Sequence, residues 1–415
     1  MAAHDPIGGI NATSLATVKP RELSVVSPAR RVHVLHLQES EIAQAPRCSP
    51  YEEYLAIVWR DDRPIGQLYG KADSDGRADV QALLELAGRA ERLPDRPDVA
   101  ARALLPRTAT VVICTRDRAD MLARALASLR EQTRPPDQIV VVDNASRDQA
   151  TRAVALLAGV DYVREDRPGL DIARNRGARA ATGEIVAYTD DDVAVHPRWL
   201  ERLVEAFDSP GVAAVTGLVL PGELETDSQI VFERHWGFGR GFRRIDFDRD
   251  YFATHRHHGC PVWRIGAGAS MAFRRQTFAS VGYFDERLDV GAAGCCGDSE
   301  YWYRILAAGL TCRYESSAVA FHFHRRERDA LARQIFAYMR AHVVASFIQF
   351  ERHKHVGNLR HVFLGLPYWY ARRIVRWMIR GTDDTNRLLL VEMRGALAGV
   401  AYYLRSRRTP AGIRP

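Results

Sequence analysis

Between residues 108 and 190, apolar β-branched runs alternate with helical patterns, and no other feature restricts the fold of this chain as much. The runs are "TATVVICT" (108–115), "QIVVVD" (138–143), "VDYVRE" (160–165) and "EIVAYT" (184–189). Between them, "ADMLARALASLREQ" places Met121, Leu122, Ala125, Leu126 and Leu129 on one helical face. Further helices are predicted near 148–158 and over 170–182. Strands that are apolar on both faces, separated by helices, require a mostly parallel sheet covered on both sides, so the fold class is α/β. Such sheets bind ligands beyond the carboxyl ends of their strands. Asp143 closes one strand, and Asp190, Asp191 and Asp192 close another. The topology therefore predicts that these acids share one rim.

Three adjacent carboxylates repel one another. A hard divalent cation, Mg²⁺ or Mn²⁺, would relieve that repulsion, since such ions take oxygen ligands from one or two carboxylates and from substrate phosphates. Taken alone, the triplet favours a solvated strand-end loop in which one Asp caps the next turn.

The 415 residues leave room for flanking domains. Residues 1–30 lack an apolar signal core and read as a flexible tail in a cytoplasmic protein. Residues 31–105 read as a small α+β domain. There "YLAIVWR" and "IGQLYG" flank the hairpin signal "DDRP", a helical pattern covers 78–93, and "LPDRPD" follows as a linker. The α/β domain spans 106–325. Within it, residues 226–262, rich in aromatics, Arg and His, read as a mobile loop. Residues 326–415 read as helical, near 327–352, 358–380 with a kink at Pro367, and 384–407. No apolar run reaches the ~18–20 residues needed to span a membrane. The six cysteines show no CxxC spacing, which supports neither a zinc site nor a disulfide framework. The net charge is +7, yet residues 325–415 hold 18 Arg and Lys against 6 Asp and Glu. An electrostatic partner therefore belongs at the C-terminus. No nucleic-acid recognition motif accompanies the charge, so no nucleic-acid partner is expected. "YWYARRIVRWMIR" (368–380) interleaves aromatics and Arg as an anionic membrane surface would require. The alternative is that its aromatics pack on the α/β domain.

"VVICTRDR", "VVVDNASRD" and "GLDIARNRGARAATGEIVAYTDDD" closely resemble the family-2 glycosyltransferases, which have the fold called GT-A. The resemblance continues through "GAGASMAFRRQTFASVGYFDERL", "GDSEYWYRILAAG" and "SAVAFHFHRR", and covers about residues 108–325. It implies a Rossmann-like sheet and inverting transfer of a sugar from a nucleotide-sugar, UDP- or dTDP-linked, to a hydroxyl of a glycan or lipid-linked acceptor.

The resemblance also implies roles. Thr115 would contact the nucleotide, and Asp143 would accept the N3–H of uracil. Arg174 would approach the base or diphosphate. Asp190 would lie near the ribose and, with Asp191, belong to the nucleotide-sugar site. Asp192 would bind the metal. Asp298 would be the catalytic base, although the family usually carries an acidic pair where this chain has Gly297-Asp298. Glu300 is the competing carboxylate, and both acids can instead serve the start of a helix. His322 would help bind metal or diphosphate, with His324 as competitor or a buried structural role as the alternative. Gly266 and Gly268 fit a close backbone approach to substrate or a simple turn. A sugar nucleotidyltransferase shares the sheet logic but would carry a glycine-rich loop where "CTRDRAD" stands. A non-catalytic nucleotide-sugar binding module would not need an acid at 298.

Overall fold

The computed structural model describes residues 31–90, 108–381, 386 and 388–406. The expected tail and the linker at 93–98 lie outside them. Strands β1 (Val32–Gln38), β2 (Glu53–Arg60) and β3 (Arg63–Lys71), with helix α1 (Val80–Arg89), form a three-stranded sheet. The expected hairpin turns at Asp61-Asp62 between the antiparallel β2 and β3.

The main sheet is built from β4 (Ala109–Thr115), β5 (Gln138–Asn144), β6 (Asp161–Glu165), β7 (Ile185–Asp190), β8 (Val193–Val195), β9 (Val212–Pro221), β10 (Ile245–Phe247), β11 (Ser270–Arg274) and β12 (Thr311–His322). The strand order is β10-β12-β9-β11-β7-β4-β5-β6, with β8 paired to β12. Neighbours from β7 through β6 run parallel, as do β9 and β12, whereas β11 is antiparallel to both of its neighbours. This is an α/β architecture with an N-terminal β-rich and a C-terminal helical segment.

Both faces are covered for the reason the sequence gives. Val111 and Ile113 of β4 join helices α2 (Ala119–Arg130) and α3 (Ala150–Ala158), together with α5 (Trp199–Glu205), in one core. Val112 faces the opposite way, toward α4 (Leu170–Ala180) and the aromatic residues Phe273, Phe284, Tyr301 and Trp302. Successive side chains of a strand point to opposite faces, so a continuous apolar run feeds two cores at once.

The region read as a loop, 226–262, instead contains α6 (Asp227–Trp236), β10 and α7 (Arg249–His255). Thr226 and Gln229 form a reciprocal capping box at the start of α6, and Asp248 caps α7. After α8 (Arg275–Ser280) and α9 (Gly297–Ala307), the chain ends in helices. These are α10 (Arg328–His353), the short α11 (Gly357–Arg360), a π-turn (His361–Gly365), α12 (Leu366–Arg380) and α13 (Leu389–Ser406). The π-turn and Pro367 stand where the kink is expected, since proline cannot donate to the preceding turn.

The small sheet docks behind the acidic triplet. Trp59 stacks on His196 with ring centroids 5.3 Å apart, and Asp62 accepts from Arg202 at 3.0 Å.

Candidate functional site

Register sets the rim. Thr115 lies opposite Asp143 between β4 and β5, and Cys114 lies opposite Asp190 between β4 and β7. Thr115, Asp143 and Asp190 therefore end their strands at nearly one level, with Asp191 and Asp192 in the turn into β8.

The three aspartates do different things. Asp191 points inward, where it accepts the Thr115 hydroxyl at 2.7 Å and Arg118 Nη1 at 3.0 Å. The same Arg118 nitrogen reaches Asp192 Oδ2 at 3.1 Å. Asp192 Oδ1 faces His322 Nε2 at 3.4 Å, because Val193 and His322 are opposite one another across β8 and β12. Burial, joined by its acidic neighbours and opposed by Arg174, pushes the Asp190 carboxyl up to about 7.

A chain of hydrogen bonds runs behind His322. Its Nδ1 lies 2.8 Å from His324 Nδ1, and His324 Nε2 lies 2.9 Å from Glu233 of α6. A carboxylate only accepts, so His324 Nε2 carries a proton. With both rings neutral, His324 Nδ1 accepts, His322 Nδ1 donates, and the His322 Nε2 lone pair is turned toward Asp192. Burial lowers the His322 pKa to about 4, so the ring is neutral at pH 7. A lone pair facing a carboxylate oxygen is unfavourable unless a cation lies between them. These two donors thus fit a divalent ion. Among the described residues no three His, Cys, Asp or Glu side chains converge on one point. Substrate phosphate and water would have to complete the shell, as they commonly do for Mg²⁺.

A second acidic cluster surrounds Arg174. Its guanidinium is buried, and Nη1 donates to Asp171 at 3.1 Å and to Asp289 at 2.6 Å. The charges of Asp190 and Asp298 also act on it, which ties the cluster to the triplet. Arg174 is thus buried and committed to carboxylates. It is the counter-ion that lets several carboxylates be buried together.

Asp298 stands in the first turn of α9. The backbone N–H of Ser299 donates to Oδ1 at 2.6 Å, and that of Gly268 also donates to the carboxylate. Burial raises its pKa against the pull of Arg174. Glu300 is fully buried and bound to Arg304 Nε at 2.9 Å, so it contributes an ion pair rather than only a charge near the helix dipole.

Asp143 is fully buried and already accepts from Ser146 N at 3.0 Å, Tyr162 Oη at 2.7 Å and Arg164 Nη1 at 2.9 Å. A base could reach it only after Arg164 or Tyr162 moved. The Thr115 hydroxyl is likewise committed, to Asp191.

The structure therefore pairs Asp192 with His322, sets Arg174 on Asp171 and Asp289 within reach of the charge of Asp298, and turns Thr115, Asp143 and Asp191 inward. Sequence reasoning missed Arg118, Asp171, Asp289 and Glu233. Only Arg118, just after the first strand in "CTRDRAD", had a legible position.

Residues 110–281 match the profile of glycosyl transferase family 2. Among curated proteins, a glucosyl-dolichyl phosphate glucuronosyltransferase of Haloferax volcanii is 27% identical over 183 residues, 42% of this chain and 55% of that one. A pre-mycofactocin glycosyltransferase of Mycobacterium tuberculosis is 30% identical over 236 residues, 55% of this chain and 46% of that one. The chain thus spans about half the length of these relatives. A mannosyltransferase of Pyrobaculum calidifontis, solved with GDP-mannose and Mn²⁺, has 19% identity and a TM-score of 0.48. That match covers 75% of this chain and 91% of the other.

Proposed function

We propose that the protein is an inverting glycosyltransferase that moves a sugar from a nucleotide-sugar, UDP- or dTDP-linked, to a hydroxyl of a glycan or lipid-linked acceptor. The observation that carries this reading is the pairing of Asp192 and His322 on the same rim as the desolvated Asp298. Asp192 and His322 would hold Mn²⁺ or Mg²⁺, whose charge offsets that of the departing diphosphate. Arg118, already on Asp191 and Asp192, adds a cation beside the same oxygens. Asp190 and the backbone at Gly266 and Gly268 bound the sugar pocket.

Asp298 takes the proton of the acceptor hydroxyl as its oxygen bonds to the anomeric carbon. The bond from that carbon to the diphosphate breaks on the opposite face, so the centre inverts. Glu300, closed off by Arg304, is not the base in this reading. Asp143 serves the nucleobase once Arg164 swings off it.

Among the described residues no helix is long and apolar enough to cross a membrane. All six cysteines are free, which fits a reducing compartment, and we place the enzyme in the cytoplasm at an anionic membrane face. Calorimetry of UDP, dTDP and GDP with and without Mn²⁺ tests the donor site. Anomeric analysis of the product tests inversion. Absence of metal-dependent binding for all three would overturn the reading.

A further inference from the structure

We infer that α12 and the π-turn before it form a docking surface for an anionic lipid bilayer. The inference rests on the transferase reading above only in supposing that the surface brings the site to a lipid-linked acceptor. More than half of the large apolar side chains exposed among the described residues lie between Val356 and Leu404. On α12, Tyr368, Val375 and Ile379 recur at spacings of seven and four, which puts them on one face. Tyr368 is 65% exposed and Ile379 77%, and Met378 beside them is 71% exposed. Leu364 of the π-turn is 67% exposed.

The opposite face is already used. Leu366 and Tyr370 are buried against Val343, Phe347 and Leu389, and Arg373 donates to Glu392 of α13 at 2.7 Å. The outward apolar stripe is therefore not needed to hold the helix in place.

Charge selects the occupant. Arg372 falls within the stripe, its guanidinium 5.8 Å from the Tyr368 ring, and Arg376 flanks it, both exposed. No acidic residue occurs from 355 to 382. An apolar strip edged by arginine and carrying an aromatic hydroxyl matches the boundary between acyl chains and anionic headgroups.

The helix also connects to the reaction centre. His361, in the π-turn, lies against Trp263 with centroids 5.8 Å apart. Both border a small cavity of about 30 Å³, together with Cys296 and Ser299 on either side of Gly297-Asp298. A surface held by α12 would keep the acceptor end of the site next to the bilayer.

The test is co-sedimentation of the full chain with vesicles of phosphatidylcholine alone or mixed with phosphatidylglycerol, at low and high salt. The expected result is about tenfold tighter binding to the mixed vesicles, weakened by salt, since each Arg near an anionic surface contributes comparably. Val375→Ser/Ile379→Ser should lower binding about tenfold, and Arg372→Gln/Arg376→Gln should remove the preference for anionic lipid. These side chains are exposed, so circular dichroism should match the parent. Negligible binding to both vesicles at low salt, or binding that ignores both double variants, overturns the proposal. So does a concentration-dependent dimer that the same substitutions dissolve while vesicles are ignored, which would assign the face to a second copy. UDP calorimetry on the same samples keeps the two readings apart: lost vesicle binding with normal UDP binding rejects only the docking surface.

Discussion

Gly297 leaves room for Asp171. A Cβ placed at 297 would lie 2.0 Å from Asp171 Oδ2, far inside any permitted contact. Asp171 reaches this point from α4, and its Oδ2 is buried with no hydrogen-bond partner. The resemblance leads one to expect a carboxylate at 297. In this chain a carboxylate from a different helix fills the space beside Asp298, and the glycine is the condition for it.

Gly297→Ala should therefore destabilise the fold by about 1–3 kcal/mol, the usual cost of forcing atoms into a packed interior. Asp171→Gly should relieve the clash, so the double variant should recover much of the loss even though Asp171→Gly alone costs stability. Urea midpoints of the four proteins measure this. Additive losses in the double variant would mean that the two positions do not compete for the same space.

Asp298→Asn should slow transfer about 10²–10⁴-fold, equivalent to about 3–5 kcal/mol of barrier, while UDP and Mn²⁺ still bind. Single-turnover rates at saturating donor and acceptor are the measurement. Glu300→Gln should behave differently. Breaking the fully buried pair with Arg304 costs about 3–5 kcal/mol of stability, and in the fraction that stays folded the transfer rate should remain near normal. Normal transfer by Asp298→Asn together with collapse in folded Glu300→Gln would reverse the two roles.

Glu233 and His324 should matter for metal without touching it. Outer partners that orient a ligating histidine typically contribute 10–100-fold in metal affinity. Glu233→Ala should weaken Mn²⁺ binding by about that factor and leave metal-free UDP binding unchanged. Titration of Mn²⁺ into the UDP-loaded protein reads it directly. Unchanged Mn²⁺ affinity would remove the hydrogen-bond chain from any role in holding His322.

The strand and helix alternation was legible because it follows from local patterning, and it correctly put Asp190 and Asp192 at a strand end. What sequence could not supply was direction. Asp191 looks identical to its neighbours, yet the turn after β7 directs it onto Thr115. Arg174 looks like one more helix-surface arginine, but its partners Asp289 and Asp298 arrive from over a hundred residues away. Glu233 fell in a stretch read as a loop because its glycines, arginines and histidines masked the buried Ile230, Val231 and Phe232. The signal Thr226-x-x-Gln229 was present and marks the start of that helix.

Asp190 should cost the fold increasing stability as pH rises toward neutrality when the metal is absent. In the folded chain the Asp190 carboxyl is raised to about 7, against ~3.9 when unfolded. An acid with a raised folded pKa holds its proton in the native state after the unfolded chain has lost it. At this group the native state then binds more protons over this window, so its contribution to stability decreases from about pH 4 up to about pH 7. A three-unit shift corresponds to at most about 4 kcal/mol, and the neighbouring carboxylates take up part of it. Asp143 acts in the opposite sense. Its hydrogen bonds from Ser146, Tyr162 and Arg164 outweigh burial and depress its pKa, so its contribution is present above ~3.9 and is lost only in stronger acid. Buried histidines also oppose it, since His322, His342 and His353 are lowered to about 4, 3 and 4 and make stability rise with pH up to about 6.5. The Asp190 contribution is therefore read as a difference: in a chelating buffer the urea midpoint of Asp190→Asn should gain on that of the parent as pH rises from about 4 to about 7. Adding Mn²⁺ with UDP should restore stability at pH 8, because a cation favours the ionised carboxylates that burial penalises. A stability difference between Asp190→Asn and the parent that stays constant from about pH 4 to about pH 7 in the metal-free protein would show that Asp190 is ionised at ordinary pH and that the triplet is not held as described.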